Sequence, residues 1–255
     1  MNKNSTVALI GNPNSGKTAV FNQLTGLTQK VSNYPGVTVE KHIGTIRISE
    51  KEYNIVDYPG IYGIIPNSLD EKIVCKEIFD WCTNKESRPD LIVCVLDSNN
   101  ISRNLYLATQ ILETEIPVIF ALNMIDLLQD SNKNINIGLL KEKLNVYDAI
   151  TCCALTAKGL IDLTQSISSF FNSSPKEKKV QSILDNRTKL AISGLSDYFQ
   201  KRGMTESQSN LYAINIVSNS KSFDIFKEEI IKEEIDETLL LPRPPVVTVM
   251  GHVDH

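Results

Sequence analysis

One short stretch near the start of the chain limits its fold more than any other feature. An apolar run at Val7–Ile10 leads into Gly11-Asn-Pro-Asn-Ser-Gly-Lys-Thr18, and apolar residues at helical spacing follow. This is a Walker A sequence in the context that it requires, after a strand and before a helix. Its glycines let backbone N–H groups converge on a phosphate, Lys17 can reach the β- and γ-phosphates, and the Thr18 hydroxyl can ligate Mg²⁺. We therefore expect a P-loop fold that binds a nucleotide.

Predicted strands and helices alternate through the rest of residues 1–172. Two strands separated by a turn-like segment, Ile43–Ile48 and Tyr53–Val56, are expected to form a hairpin. The remaining elements are strands at Leu91–Leu96, Val118–Leu122 and Ala149–Cys153 and helices near Glu71–Cys82, Asn104–Glu113, Gly138–Leu144 and Leu160–Phe171. Such alternation predicts an α/β fold with a mostly parallel sheet covered by helices.

The pattern changes after a polar, proline-containing stretch at Asn172–Lys179. We place a domain boundary there and predict a small all-helical domain at residues 180–241, followed by a tail at 242–255. The predicted helices of the small domain are Leu184–Gln200, Asn210–Val217 and Phe223–Leu240. The charged residues of the last helix suit a solvated face, and partner binding by this domain stays open.

Two further motifs follow predicted strands and indicate a guanine nucleotide. Asp57-Tyr-Pro-Gly60 offers a carboxylate for the Mg²⁺ shell and a backbone N–H at Gly60 for a γ-phosphate. In Asn123-Met-Ile-Asp126, the carboxylate can accept hydrogen bonds from guanine N1–H and the 2-amino group, which adenine lacks. Asn123 can bond N7 of the base and brace the P-loop. Together with the Walker A loop, these motifs predict a P-loop GTPase fold.

Two more loops complete the expected site. Cys153-Ala-Leu-Thr-Ala-Lys-Gly159 follows a predicted strand, and the Ala154 N–H could meet guanine O6, although a simple strand-to-helix turn fits almost as well. Asn33-Tyr-Pro-Gly-Val-Thr-Val-Glu40 is loop-like, with Pro-Gly at its centre. We expect Thr38 to ligate Mg²⁺ when a γ-phosphate is present, which would make this loop an order–disorder switch.

Composition excludes several other classes of protein. The net charge of −4 provides no basic footprint, so no nucleic-acid partner is expected. Five cysteines without metal-like spacing argue against a disulfide framework and favour a reducing, cytoplasmic environment. No leader sequence opens the chain, and no apolar run approaches the roughly 20 residues that span a bilayer. We therefore expect a soluble chain.

Taken together, Gly11–Thr18, Asn33–Glu40, Asp57–Gly60 and Asn123–Asp126 resemble the cytoplasmic G domain of bacterial ferrous-iron transport protein B. The resemblance spans roughly residues 7–171, and the helical segment fits that family's small helical domain by position and character. Met124, where most small GTPases carry lysine, and the Pro-Gly-Val-Thr-Val-Glu switch sequence are its more specific features. Cys153 stands where that family usually has serine, and Tyr34 where tryptophan is common.

The resemblance implies a potassium-assisted GTPase, in which Asn14 helps to bind K⁺ beside the phosphates and the ion supplies a fixed positive charge. The sequence itself suggests a low intrinsic rate, because Ile61 follows Gly60 where Ras-like proteins have a water-orienting glutamine. Asn14, Lys17 and Thr38 are the expected catalytic residues. The expected metal ligands are Thr18, Thr38 and Asp57 for Mg²⁺ and Asn14 for K⁺. The expected GTP-binding residues are Gly11, Asn12, Asn14, Ser15, Gly16, Lys17, Thr18, Ala19, Gly36, Val37, Thr38, Asp57, Gly60, Asn123, Met124, Asp126, Cys153, Ala154 and Leu155.

The tail resembles a different family. Arg243-Pro-Pro-Val-Val-Thr-Val-Met-Gly-His-Val-Asp-His255 is similar to the opening of the G domain of bacterial translation initiation factor 2. It stops one residue before that family's Gly-Lys-Thr, as a gene fusion cut at residue 255 or a chimeric product would. A coincidental tail strand is the alternative, and His252 and His255 are not interpreted as metal ligands.

Three functional hypotheses follow from these patterns. The first is a GTP-hydrolysing switch domain that controls a transporter at the cytoplasmic face of the inner membrane, with GTP, GDP and a membrane transport domain as partners and oligomers possible. It would contact partners through the switch loops and the helical domain. The second is a nucleotide-binding regulatory module that has lost transport, and the third is an appendage of a translation factor, suggested by the tail alone.

Overall fold

The computed structural model describes residues 5–26, 29–34, 39–48, 50–66, 68–129, 135–173 and 186–218. The strands are β1 (Thr6–Gly11), β2 (Gln29–Asn33), β3 (Glu40–Ile48), β4 (Lys51–Asp57), β5 (Leu91–Asp97), β6 (Val118–Asn123) and β7 (Asp148–Thr151). The helices are α1 (Lys17–Thr25), α2 (Leu69–Thr83), α3 (Ile101–Leu112), α4 (Ile125–Gln129), α5 (Ile137–Leu144), α6 (Leu160–Asn172), α7 (Asn186–Gln200) and α8 (Glu206–Ser218).

The strands form one seven-stranded sheet in the order β2-β3-β4-β1-β5-β6-β7. Strands β4, β1, β5, β6 and β7 run parallel, whereas β2, β3 and β4 pair in antiparallel fashion. The predicted hairpin is therefore present as β3 and β4, and the predicted α/β fold with a mostly parallel sheet is confirmed. Helices connect the parallel strands, as such connections require.

Two of these strands and helices were not predicted from the sequence. Strand β2, Gln-Lys-Val-Ser-Asn, contains a single apolar residue and lies mostly exposed at the sheet edge, paired with β3. Such a strand has no buried face, so it shows no alternation of apolar and polar residues. Helix α4 has five residues, which is too short for helical periodicity to appear.

Two apolar layers cover the sheet because successive residues of a strand point to opposite faces. In β1, Val7 and Leu9 join one buried cluster, and Ala8 and Ile10 join the other. Helices α1 and α6 cover the first cluster through Val20, Phe21, Leu163 and Ile167. Helices α2 and α3 cover the second through Val74, Ile78, Leu107 and Ile111. Burial of each such side chain contributes about 1.5–3 kcal/mol.

Helices α7 and α8 pack against each other and against the second layer. The Ser196 hydroxyl donates to Asn210 Oδ1 at 2.8 Å, which joins the two helices. Phe79 of α2 packs edge-on against Phe199 of α7 and Tyr212 of α8, with ring centroids 6.1 and 4.9 Å away. The aromatic contacts and the shared apolar cluster attach this helical pair to α2.

Gln208 of α8 adds a buried polar link to the same surface. Its Nε2 donates to the Thr114 carbonyl at 2.7 Å, and its Oε1 accepts from the Thr205 N–H at 3.0 Å. We expect Gln208→Leu to lower the free energy of unfolding by about 1–3 kcal/mol, because both backbone groups lose these partners. Urea unfolding measures the change. Gln165→Leu, on the exposed face of α6, is the matched control, and equal stability of the two variants would contradict the expectation.

The predicted division of the chain is covered only in part by the described residues. The predicted helices at Leu184–Gln200 and Asn210–Val217 correspond to α7 and α8. The third predicted helix and the tail at 242–255 lie outside the described residues, so the division into domains stays a prediction. Within the described ranges, none of the helices combines the length and apolar character needed to cross a bilayer.

Candidate functional site

The predicted site residues follow strands whose carboxyl ends meet at one edge of the sheet. The Walker A loop follows β1, Asp57 ends β4, Asn123 ends β6 and Cys153 follows β7. All four strands run parallel, so their carboxyl ends lie on the same side. In open α/β sheets this edge is where ligands bind.

Two glycines of the loop are required by its geometry. Gly16 precedes α1 with φ of +79°, and a Cβ there would lie 2.2 Å from Asn123 Nδ2. A Cβ on Gly11 would lie 2.6 Å from the Val95 carbonyl oxygen of β5. No side-chain hydrogen bond caps the N-terminus of α1 in the described part of the chain, which leaves its first N–H groups available to an anion.

Lys17, Thr18 and Asp57 meet beside this loop. The Lys17 ammonium forms a buried ion pair with Asp57 Oδ1, and the Thr18 hydroxyl lies 3.3 Å from Asp57 Oδ2. Removal of one partner of such a buried pair strongly destabilises the folded protein, because the other charge stays buried without compensation. The arrangement places a positive charge, a hydroxyl and a carboxylate within one hydrogen-bonded group at the start of α1.

The loop after Asp57 packs directly on the Walker A loop. Ile61 N–H donates to the Gly11 carbonyl at 3.2 Å, and a Cβ on Gly60 would lie 2.9 Å from the Pro13 nitrogen. Any displacement of one loop therefore affects the other. The Ile61 side chain is apolar and fully buried, and it therefore provides no polar group to this edge.

Asn123 links the Walker A loop to the loop after β7. Its Nδ2 donates to the Ser15 carbonyl at 2.9 Å, and its Oδ1 accepts from the Ala154 N–H at 3.0 Å. The predicted bracing of the P-loop by Asn123 is therefore present. The Ala154 N–H, which we expect to meet guanine O6, is directed at Asn123 in this structure, and its role toward a base stays a prediction.

Several buried polar groups at this edge have no partner within the described part of the chain. They are both amide atoms of Asn12, the Ser15 hydroxyl and Asp126 Oδ1. A buried polar atom without a hydrogen bond costs free energy, so native proteins rarely leave one without a functional reason. Asp126 lies one turn after Asn123, at the position expected to accept hydrogen bonds from guanine.

The remaining predicted residues differ in their surroundings. Asn14 is exposed at the tip of the loop with φ of +64°, and Met124 has φ of +61°. Ala19 lies partly buried in the first turn of α1, Cys153 is buried, and Leu155 is exposed. Gly36, Val37 and Thr38 lie outside the described residues, so their predicted roles stay predictions.

One contact at this edge was missed from the sequence. Gln23 of α1 donates from Nε2 to the Ala154 carbonyl at 3.1 Å, which ties the helix after the Walker A loop to the loop after β7. The two residues are 131 positions apart, and a single sequence carries no signal for such a pair. The contact joins α1 to the loop after β7.

The cysteines are shielded from solvent, and the predicted role of Cys153 in nucleotide binding stays a prediction. The side chains of all five are buried as free thiols. Burial raises the pKa of the Cys94 thiol to about 12, and that of Cys152, with a smaller contribution from Cys153, also to about 12. Thiols of this kind stay protonated and unreactive near neutral pH.

Comparison with known proteins identifies one family. A family model described as ferrous iron transport protein B matches residues 5–167. The Fe(2+) transporter FeoB of Escherichia coli K12 is 44% identical over 146 residues, which are 56% of this chain and 18% of that protein. The chain thus spans less than a fifth of the length of the curated relatives that it matches.

Several solved structures are also similar to this chain in fold and sequence. The cytosolic domain of L. pneumophila FeoB has a TM-score of 0.74 at 30% identity, covering 88% of this chain and 93% of that one. A mutant of S. thermophilus NFeoB bound to mGDP has a TM-score of 0.71 at 34% identity, covering 91% and 92%. The cytosolic domain of the T. maritima FeoB iron transporter in a GDP form has a TM-score of 0.77 at 28% identity, covering 96% and 89%.

Proposed function

Because the chain belongs to the family of ferrous iron transport protein B, we propose that it contains a GTP-binding domain that hydrolyses GTP slowly and acts as a molecular switch. The observation that carries this proposal is the convergence of Gly11–Thr18, Asp57–Gly60 and Asn123–Asp126 at one edge of the sheet. Within the residues that the structure describes, two of these three segments contain buried polar atoms without a hydrogen-bond partner. Phosphate and guanine groups would supply the partners that such atoms need.

Each part of the nucleotide has a candidate partner. Lys17 and the N-terminus of α1 suit the phosphates, since both present positive charge. The Asp126 carboxylate suits the N1–H and 2-amino donors of guanine, and Asn123 and the Ala154–Leu155 loop suit the rest of the base edge. The GDP-bound relatives from S. thermophilus and T. maritima support nucleotide binding in this family.

The residues present fit a magnesium ion. The Thr18 hydroxyl and the Asp57 carboxylate are hard oxygen donors that already lie 3.3 Å apart, and Mg²⁺ prefers such ligands together with substrate phosphates. Thr38 is the further ligand expected from the sequence. When bound, the ion neutralises charge on the phosphate oxygens, while Lys17 holds the same phosphates from the protein side.

Potassium would compensate for the polar side chain that is missing at position 61. Ile61 is apolar and buried, so it cannot orient an attacking water as a glutamine does. Asn14 lies exposed at the tip of the Walker A loop, where its amide oxygen can approach a cation beside the phosphates. A fixed positive charge at that place stabilises the charge that develops during phosphoryl transfer.

Hydrolysis in potassium and sodium buffers tests this proposal. We expect GTP hydrolysis by the purified chain to be about ten-fold faster in potassium than in sodium, a modest share of what a positive charge supplies in related reactions. Asn14→Ala should remove most of the difference between the two salts. Phosphate release at matched ionic strength measures both effects.

Asn22→Ala, which changes an exposed asparagine on α1, is the matched control and should retain the salt dependence. Equal, near-background rates in both salts would contradict the potassium role and favour a nucleotide-binding regulatory module. Failure of the wild-type chain to bind GTP or GDP would contradict the proposed function as a whole.

The wider role also remains a proposal. We propose that the chain, as part of a longer protein or together with a membrane transport domain, controls ferrous-iron transport at the cytoplasmic face of the inner membrane. The family match supports this role, although the chain covers 18% of the length of its curated relatives. Iron uptake in cells that carry the Lys17→Ala change in the full-length protein would test it, with unchanged uptake as the contrary result.

A further inference from the structure

A charged aromatic cluster lies beside the site and joins four segments of the chain, namely the residue after β2, strand β3, the loop after β4 and helix α2. We call Tyr34, Lys41, Tyr58 and Glu77 the Lys41 cluster. The Lys41 ammonium lies 5.1 Å from the ring centroid of Tyr34 and 5.8 Å from that of Tyr58. It also lies 4.0 Å from Glu77 Oε1 of α2. One cation thus contacts two aromatic faces and a carboxylate.

The two tyrosines belong to the loops that we expect to respond to the nucleotide. Tyr34 directly precedes Pro35-Gly-Val-Thr38, and its N–H donates to the Val39 carbonyl at 3.0 Å, which closes the base of that loop. Tyr58 is the second residue of Asp57-Tyr-Pro-Gly60, and its N–H donates to the Leu9 carbonyl of β1 at 3.2 Å. The two rings lie 6.5 Å apart.

The cluster is partly shielded from water. Tyr34 and Tyr58 are buried, while the Lys41 and Glu77 side chains are about a quarter exposed. Burial, and then the charge of Glu77, raise the pKa of Tyr58 well above its usual value, so the hydroxyl stays protonated and can donate to Glu77. Cation–π contacts gain strength where water is partly excluded.

A single tryptophan reports on this arrangement. Trp81 is the one tryptophan of the chain, and its ring lies edge-on to Tyr58 at 5.2 Å. Trp81 belongs to α2, one turn after Glu77, and is almost fully buried. Its emission should therefore depend on where the Tyr58 ring lies.

We propose that Lys41, together with Glu77, is a positioning residue. It couples Tyr34, at the base of the loop that follows it, to the Asp57–Gly60 loop. Both loops therefore take their hydrolysis-competent arrangement together. The inference rests on the proposed GTPase function. Lys41 is not among the residues expected to touch the nucleotide. It acts through Tyr34 and Tyr58, and Glu77 anchors it to α2.

Lys41→Met tests the proposal because it keeps the apolar stem and removes the charge. We expect kcat for GTP to fall about five-fold, with KM and the GDP dissociation constant within about two-fold of wild type, since only the coupling of the loops is lost. The Trp81 emission difference between the GDP state and a non-hydrolysable GTP analogue should fall by about half or more. Lys41→Arg retains a cation that can stack on both rings and should restore both properties.

Glu77→Gln is a second variant that keeps the lysine and both rings. It should lower kcat and the Trp81 emission difference, as Lys41→Met does. Lys30→Met, on the exposed face of β2, is the matched control and should behave as wild type. Thermal unfolding verifies that each variant is folded.

The outcomes separate this inference from the proposed function. If wild type binds and hydrolyses GTP but Lys41→Met keeps its kcat and its Trp81 response, the coupling role is wrong and the GTPase stands. A Trp81 emission that is identical in both nucleotide states of wild type would also overturn it. If wild type binds no guanine nucleotide, both proposals fail together.

Discussion

Exchanging Asp126 for asparagine is expected to reverse the nucleotide preference from guanine to xanthine. Asp126 Oδ1 is buried without a hydrogen-bond partner in the described part of the chain, one turn after Asn123. A carboxylate there matches the two donors of guanine. An asparagine would present an amide donor to the 2-amino group, whereas xanthine carries a carbonyl oxygen at that position.

The expected size of this change is large, because a polar site that loses its complementary group rejects the wrong ligand strongly. GDP affinity should fall on the order of a thousand-fold in Asp126→Asn, and XDP affinity should rise until XDP is the preferred ligand. Competition of GDP and XDP against a fluorescent guanine nucleotide measures both. The Mg²⁺ requirement should not change.

Asp162→Asn, at an exposed position in the first turn of α6, is the matched control and should keep the guanine preference. A GDP affinity in Asp126→Asn that stays within a few-fold of wild type, with no gain for XDP, would show that this carboxylate does not contact the base. An equal loss of affinity for both nucleotides, accompanied by a lower melting temperature, would instead indicate a structural role.

Gly16→Ala is expected to weaken nucleotide binding strongly and to destabilise the chain. A Cβ at this position would lie 2.2 Å from Asn123 Nδ2, which donates to the Ser15 carbonyl. The residue also has φ of +79°, a backbone conformation that residues other than glycine rarely adopt. The substitution therefore disturbs the turn that presents the N-terminus of α1 and the link from the loop to Asn123.

We expect GDP affinity to fall by more than about a hundred-fold, since the loop and the base-side residues shift together. The free energy of unfolding should fall by about 1–3 kcal/mol through backbone strain. Isothermal titration with GDP and urea unfolding measure the two effects.

Gly194→Ala is the matched control. Gly194 lies in the interior of α7, and a Cβ added there would have no atom of the described residues within 4 Å beyond its own helix backbone and chain neighbours. Alanine there should leave GDP binding unchanged and raise the free energy of unfolding by about 0.5–1 kcal/mol through helix propensity. Near-wild-type GDP affinity in Gly16→Ala would contradict the role assigned to this glycine.

The central strands and most helices could be predicted because their physical signals are local. Strands β5 and β6 are continuous apolar runs, as strands buried on both faces must be. Helix α6 has apolar residues at helical spacing and a glycine with φ of +74° immediately before it. The prediction failed where local signals are weak, at the exposed edge strand β2 and at the five-residue α4.

The order of motifs along the chain also located the candidate site. Each motif follows a predicted strand, and parallel strands bring their carboxyl ends to one edge. The family match over residues 5–167 confirms the resemblance that these motifs indicated. The likeness of residues 243–255 to a translation factor stays a prediction, since these residues lie outside the described part of the chain.

The sequence by itself therefore determined the fold class, the family and the chemical groups available for phosphate and guanine, because these depend on residue type and spacing along the chain. The tertiary structure alone decided which groups meet. Lys17 pairs with Asp57 across 40 positions, Asn123 bonds both Ser15 and Ala154, and Lys41 lies between two aromatic rings. Such contacts arise from strand order and side-chain packing between distant segments, and no local pattern in a single sequence encodes them.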